Sequence, residues 1–142
     1  MDIVPDEWVL DCARPDNERY SISRKFLDAV ERKRDRLAIR QDSPFTRKLA
    51  KFGKIYPIEF KRLFLILYDS SKVVQFGDDD ITRLPQEIEN TVPDDDRYLV
   101  ELAFSTPDKV FVTTDNRLKE KIKGLGDLRV FLYDEFMHFY DR

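Results

Sequence analysis

The sequence predicts an α/β protein, a three-layer α/β/α sandwich around a central, mainly parallel sheet of about five strands. Three observations lead there. Short apolar runs rich in β-branched and aromatic residues alternate with longer amphipathic stretches. The short runs are mostly apolar, as strands covered on both faces are. Neither an internal repeat nor a low-complexity linker divides the 142 residues, so residues 1–142 are read as a single domain.

The elements follow in order. Met1 to Val4 is a first strand, closed by Pro5-Asp6. Trp8 to Cys12 starts a short helix. Ser21 to Arg36 carries Phe26, Leu27, Ala29 and Val30 at helical spacing among charges, and predicts an amphipathic helix. Leu37-Ala38-Ile39, within Arg36 to Arg40, is a buried strand. Asp42-Ser43-Pro44 combines cap residues with a proline at the first turn, so a helix runs from Phe45 to about Gly53. Past Pro57, Ile58 to Tyr68 reads as one very apolar helix, and Val73 to Phe76 as a third strand. Gly77 to Val92 is a loop with a short helix around Glu87. Pro93 and Asp94-Asp95-Asp96 open a helix with Leu99, Leu102 and Ala103 on one face. Lys109 to Thr114 is the clearest strand, followed by Asp115 and a helix from Asn116 to Lys123 that Gly124-Leu125-Gly126 stops. Arg129 to Tyr133 is a last strand, and Asp134 starts a last helix.

Composition removes several chemistries. One cysteine, Cys12, allows neither an internal disulfide nor a thiolate zinc cluster. The single histidine, His138, has no nucleophile elbow near it. The four glycines form no phosphate-cradling loop. No run of about 18 apolar residues is present, and MDIVPDEW lacks the basic-then-apolar order of a secretory signal, so a cytoplasmic protein with no membrane contact is expected. The formal net charge is −3 but unevenly spread: Arg19 to Arg62 is basic and Asp78 to Asp96 acidic. That asymmetry suits a polyanion approaching a carboxylate cluster, and equally suits two solvated faces of opposite sign.

Ligands of open parallel sheets bind at the carboxyl ends of the strands. Asp6 follows the first strand, Asp115 follows KVFVTT, and Asp96 starts the helix reached through the loop after the third strand. The three aspartates are therefore expected to meet on one edge. Close carboxylates raise one another's pKa unless a cation joins them. An all-aspartate set suits Mg²⁺ or Mn²⁺, which choose oxygen ligands and can hold and activate the oxygens of a phosphodiester hydrolysis. Taken singly, each aspartate also stands where a helix N-cap is favoured.

Asp95-Asp96-Arg97-Tyr98-Leu99-Val100-Glu101-Leu102-Ala103, then Val110 to Leu118, resembles the signature of the PIN-domain family. That signature is an acidic residue opening a helix, a small residue seven positions on, and an apolar strand ending in Thr-x-Asp, here Thr113-Thr114-Asp115. Val130 to Phe136 is similar to the family's last strand and the acidic-aromatic helix after it, and Ile3 to Leu10 to its first strand and first aspartate. Glu7 and Trp8 depart from the family's usual residues there. A fourth acidic residue is usual on the helix after the second strand; Lys48 occupies that position.

The resemblance implies a metal-dependent endoribonuclease acting on single-stranded RNA, with Asp6, Asp96 and Asp115 as catalytic metal ligands for Mg²⁺ or Mn²⁺. Asp95 and Lys48 are auxiliary candidates. Short single-domain members are often the toxin half of a toxin–antitoxin pair, which implies an antitoxin protein as a partner. Of the basic residues Arg34, Arg36, Arg40, Arg47, Lys48 and Lys51, we expect Arg40, Arg47 and Lys51 above all to hold the RNA backbone. The apolar stretch Ile58 to Tyr68 predicts a homodimer interface. Lys48 in place of a ligand also admits a PIN-like domain that has lost catalysis and binds RNA or protein.

Overall fold

The computed structural model describes residues 1–141. Five strands form one sheet: β1 (Asp2–Pro5), β2 (Arg36–Arg40), β3 (Val73–Phe76), β4 (Val110–Thr113) and β5 (Arg129–Leu132). Their order is β3-β2-β1-β4-β5, and every neighbouring pair is parallel. The register sets Ile3 against Leu37 on one side and Val110 on the other, and Pro5 against Val112.

Side chains alternate between the two faces of a strand. Ile3, Leu37, Ile39, Val110 and Val112 point into one core, which is covered by α1 (Trp8–Asp11), α2 (Tyr20–Arg32), α3 (Pro44–Ile55), α4 (Pro57–Leu63) and α8 (Tyr133–Tyr140). Val4, Ala38 and Phe111 point into the other, under α6 (Arg97–Ser105) and α7 (Asn116–Ile122), with Ile88 of the short α5 (Gln86–Glu89) packed at its margin. The expected three layers are present, and the sheet is parallel throughout.

Local chemistry explains the boundaries. Ser43 Oγ accepts the Thr46 N–H, and Thr46 Oγ1 accepts the Ser43 N–H, so α3 starts with a reciprocal cap. Gly124 and Gly126 adopt φ values of 80° and 57°, which end the segment after α7 where a side chain would be strained. Two predicted helices differ in extent. The second ends at Arg32 instead of Arg36, because Lys33 is extended and Arg36 must return beside β1, its N–H donating to the Met1 carbonyl and its guanidinium pairing with Asp2. Ile58 to Tyr68 is not one helix. It divides into α4 and a ₃10 turn over Leu65–Tyr68, which keeps Ile66 and Leu67 buried beneath β3 while Leu65 and Tyr68 face solvent.

Among the described residues no helix is long and apolar enough to cross a membrane.

Candidate active site at the edge between β1 and β4

The strand order reverses at β1: β2 and β3 lie to one side, β4 and β5 to the other. In parallel sheets the crevice for a ligand opens where the order reverses, beyond the carboxyl ends of the strands. Asp6 is the first residue past β1, and Asp115 follows the end of β4 by two residues. The two aspartates expected from sequence thus flank the switch point.

Hydrogen bonds knit them together. The Asp6 N–H and the Trp8 indole Nε1–H both donate to the Val112 carbonyl, each at 3.0 Å. Trp8 is buried edge-on against Phe26 and Tyr133, which anchors the start of α1 between α2 and α8. Asp6 Oδ1 accepts the Glu7 N–H at 2.6 Å, and Asp6 Oδ2 accepts the Thr113 hydroxyl at 2.8 Å. The same Thr113 oxygen accepts the Asp115 N–H at 3.0 Å. Asp115 Oδ1 accepts the N–H groups of Arg117 and Leu118, so this aspartate does cap α7.

Asp96 is the N-cap residue of α6, but its side chain makes no capping bond. It is half-buried, and its preceding turn Asp94–Asp96 is a ₃10 turn. Burial is the chief cause that raises the Asp96 carboxyl above the ordinary range; Asp115, Asp95 and Glu7 push the same way, and Lys121 opposes them. Burial likewise pushes Asp6 from 3.8 up to about 6; the bonds from Thr113 and Glu7 pull it back, and Asp96 and Glu7 add to the rise. Each of the three expected aspartates therefore lies within electrostatic reach of another. Asp95 is exposed, and its charge adds to the rise of Asp96.

No family model matches the chain, and no curated protein or solved structure does.

Glu7, Thr113, Tyr98 and Lys121 also belong to this edge, and sequence assigns none of the four a role in the site. Thr113 sits within the Thr-x-Asp motif, but only the register of β1 on β4 shows that its hydroxyl serves both aspartates. Glu7 faces Lys48, whose Nζ stands 3.7 Å from Glu7 Oε1 and 2.7 Å from Asp11 Oδ1. Glu7 and Lys48 thus form an ion pair. The Tyr98 hydroxyl is buried beside Glu7 without a partner in hydrogen-bond geometry among the described residues. Burial, then the charges of Glu7, Asp6 and Asp96, holds its ionisation far above the ordinary tyrosine range.

The oxygen-only donor set fits a hard divalent cation. Among the described residues, however, no three His, Cys, Asp or Glu side chains stand close enough to form a ready cage. A Mg²⁺ ion commonly takes one or two carboxylates and completes its shell with water and substrate oxygens.

The basic residues divide. Arg40 is half-buried and pairs with Glu101 at 3.3 Å and Asp78 at 3.4 Å, so its guanidinium is committed to α6 and the loop after β3. Arg36 is committed to Asp2. Arg47 is exposed and donates to the Asp42 carbonyl. Arg34 and Lys51 are exposed.

Proposed function

We propose that the β1/β4 edge is the active site of a metal-dependent endoribonuclease of PIN-domain type. Asp6, Asp96 and Asp115 hold Mg²⁺ or Mn²⁺ there, and phosphodiester bonds of single-stranded RNA are hydrolysed. What supports this reading is that Asp6 and Asp115 follow the two strands at the switch point and that Asp96 lies within electrostatic reach of both, with burial first and neighbouring carboxylates second raising Asp6 and Asp96. That arrangement is costly without a cation and favourable with one. The cation would supply charge neutralisation for the scissile phosphate and activation of water.

The chain's own residues prepare the edge. Thr113 fixes the Asp6 carboxylate through Oδ2, and the Glu7 N–H fixes it through Oδ1. The first turn of α7 holds Asp115 through Oδ1. Asp96, free of a capping bond, can turn toward a ligand. The test is incubation of purified protein with unstructured RNA and Mn²⁺, beside Asp115→Asn. Cleavage by the wild type and none by the variant is the expected result. Cleavage that persists in the variant assigns the activity to something other than this edge.

Two observations favour a second reading, an RNA- or protein-binding module with a degraded metal site. Lys48 brings a positive charge to Glu7 and Asp11, and the carboxylates form no ready cage. RNA binding without Mn²⁺-dependent cleavage would select it. The toxin role, with an antitoxin partner, rests on the nuclease reading. A homodimer is supported by the exposed apolar side chains of Ile58, Leu65 and Tyr68.

A further inference from the structure

A cleft of about 260 Å³ opens between α1 and α3, linked to Glu7 of the carboxylate edge through Lys48. One wall is apolar: Leu10, Phe52, Ile55 and Tyr56 line it. The Phe52 and Tyr56 rings stand 5.1 Å apart, with planes tilted by 49°, so the two rings pack together along this wall. The rim is cationic, with Arg14, Lys48 and Lys51. The one acid that lines the cleft, Asp11, is already matched by Lys48 at 2.7 Å. Arg14 donates through Nε to the Asp11 carbonyl, and among the described residues neither Arg14 nor Lys51 has a carboxylate partner. Lys48 belongs to both places, since it also faces Glu7, the residue after Asp6.

An apolar, aromatic wall with unneutralised cations along its rim is what one nucleotide of an unpaired strand requires: a face for the base and charges for the phosphates on either side. We propose that this cleft binds a nucleobase of single-stranded RNA against Tyr56 and Ile55. The flanking phosphates lie on Lys51 and Arg14, while Lys48, held between Asp11 and Glu7, joins the cleft to the carboxylate edge on which the strand is thereby set in register. The RNA substrate rests on the nuclease reading; the cleft itself is a separate binding element. Two features set it apart from a plain protein contact: its cations outnumber its acid, and it is continuous with the carboxylates through Lys48.

The experiment uses the full chain carrying Asp115→Asn, in chelator, so that cleavage cannot intrude. The probe is a short unstructured RNA containing aminopurine as a fluorescent base. Lys51→Ala and Arg14→Ala are each expected to weaken binding about threefold to tenfold at low salt, with a shallower salt dependence. Tyr56→Leu, which keeps apolar bulk against Phe52, is expected to weaken binding about tenfold and to lose quenching of the base, whereas Tyr56→Phe retains both. Binding and quenching at the parent level in both Tyr56→Leu and Lys51→Ala overturn the cleft. Unchanged RNA affinity with an altered sedimentation coefficient in Tyr56→Leu also overturns it, and assigns the surface to a protein contact. Failure of the nuclease reading is distinct: the wild type then neither cleaves RNA nor responds to Mn²⁺, while the cleft variants still separate from the parent in binding.

Discussion

Thr113 donates its hydroxyl hydrogen to Asp6 Oδ2 at 2.8 Å, across 107 residues of sequence, and accepts the Asp115 N–H on the same oxygen at 3.0 Å. Thr113 is fully buried at the end of β4, so this single hydroxyl couples the two strand-end aspartates through the register of β1 on β4. Removing it leaves a buried carboxylate oxygen and a backbone N–H short of a partner. Thr113→Val, nearly the same shape, is expected to cost about 1–3 kcal/mol in urea unfolding. Thr113→Ser is expected to recover most of that. The bond from Thr113 also lowers the Asp6 pKa, so the valine variant raises Asp6 further.

Asp6 gives the fold a pH dependence with a definite sign. Its carboxyl is raised in the fold from 3.8 to about 6, chiefly by burial. The folded protein therefore holds this proton more tightly than the unfolded chain does. The contribution favours folding at low pH and is lost as pH rises through the interval from 3.8 to about 6. In metal-free protein, Asp6→Asn is expected to gain about 2 kcal/mol relative to wild type between the two ends of that interval. Urea melts of both proteins across the interval measure it, and the difference cancels the other titrating groups.

Lys48 should matter more for metal than for stability. Its ion pairs with Asp11 and Glu7 are partly exposed, 39% for Lys48 against 46% and 26% for the two acids. Pairs of that kind contribute about 0–1 kcal/mol. Lys48→Ala is therefore expected to change the urea midpoint little, and to tighten Mn²⁺ binding by removing a cation beside Glu7. Calorimetric titration with Mn²⁺ reads the second effect; weaker binding in the variant would contradict it.

Arg40 separates a structural cation from a ligand-binding one. Its partners Glu101 and Asp78 belong to α6 and to the loop after β3, and both Arg40 and Glu101 are only 19% exposed. Arg40→Ala is expected to destabilise by about 1–2 kcal/mol, between the surface and buried limits for an ion pair. RNA affinity per folded molecule is expected to stay within about twofold of wild type, because the guanidinium is already neutralised.

The strands were legible because they are short, apolar and bounded by turn chemistry. Arg36–Arg40 and Val73–Phe76 fall where the pattern places them. So does the start of α3, since Ser43, Pro44 and Thr46 carry a local signal. What the sequence could not show depends on neighbours distant along the chain. The division of Ile58 to Tyr68 follows from packing Ile66 and Leu67 under β3, which helical periodicity does not encode. The pairing of Arg40 with Glu101 depends on α6 packing against β2, which local sequence does not encode. Asp6, Asp96 and Asp115 each follow a strand or open a helix, positions visible in sequence. Glu7, Tyr98 and the Thr113 hydroxyl join them only through the sheet register and the placement of α6, and the pairing of Glu7 with Lys48 needed three dimensions to see.

The most direct measurement is thermal melting with and without millimolar Mn²⁺, for wild type and Asp96→Asn. Asp96 makes no capping bond, so its replacement removes a ligand without removing a cap. A cation held by Asp6, Asp96 and Asp115 should raise the wild-type Tm by about 5 °C or more, and that rise should vanish in Asp96→Asn. An equal Tm with and without Mn²⁺ in the wild type, or an equal rise in both proteins, would contradict a metal site at this edge.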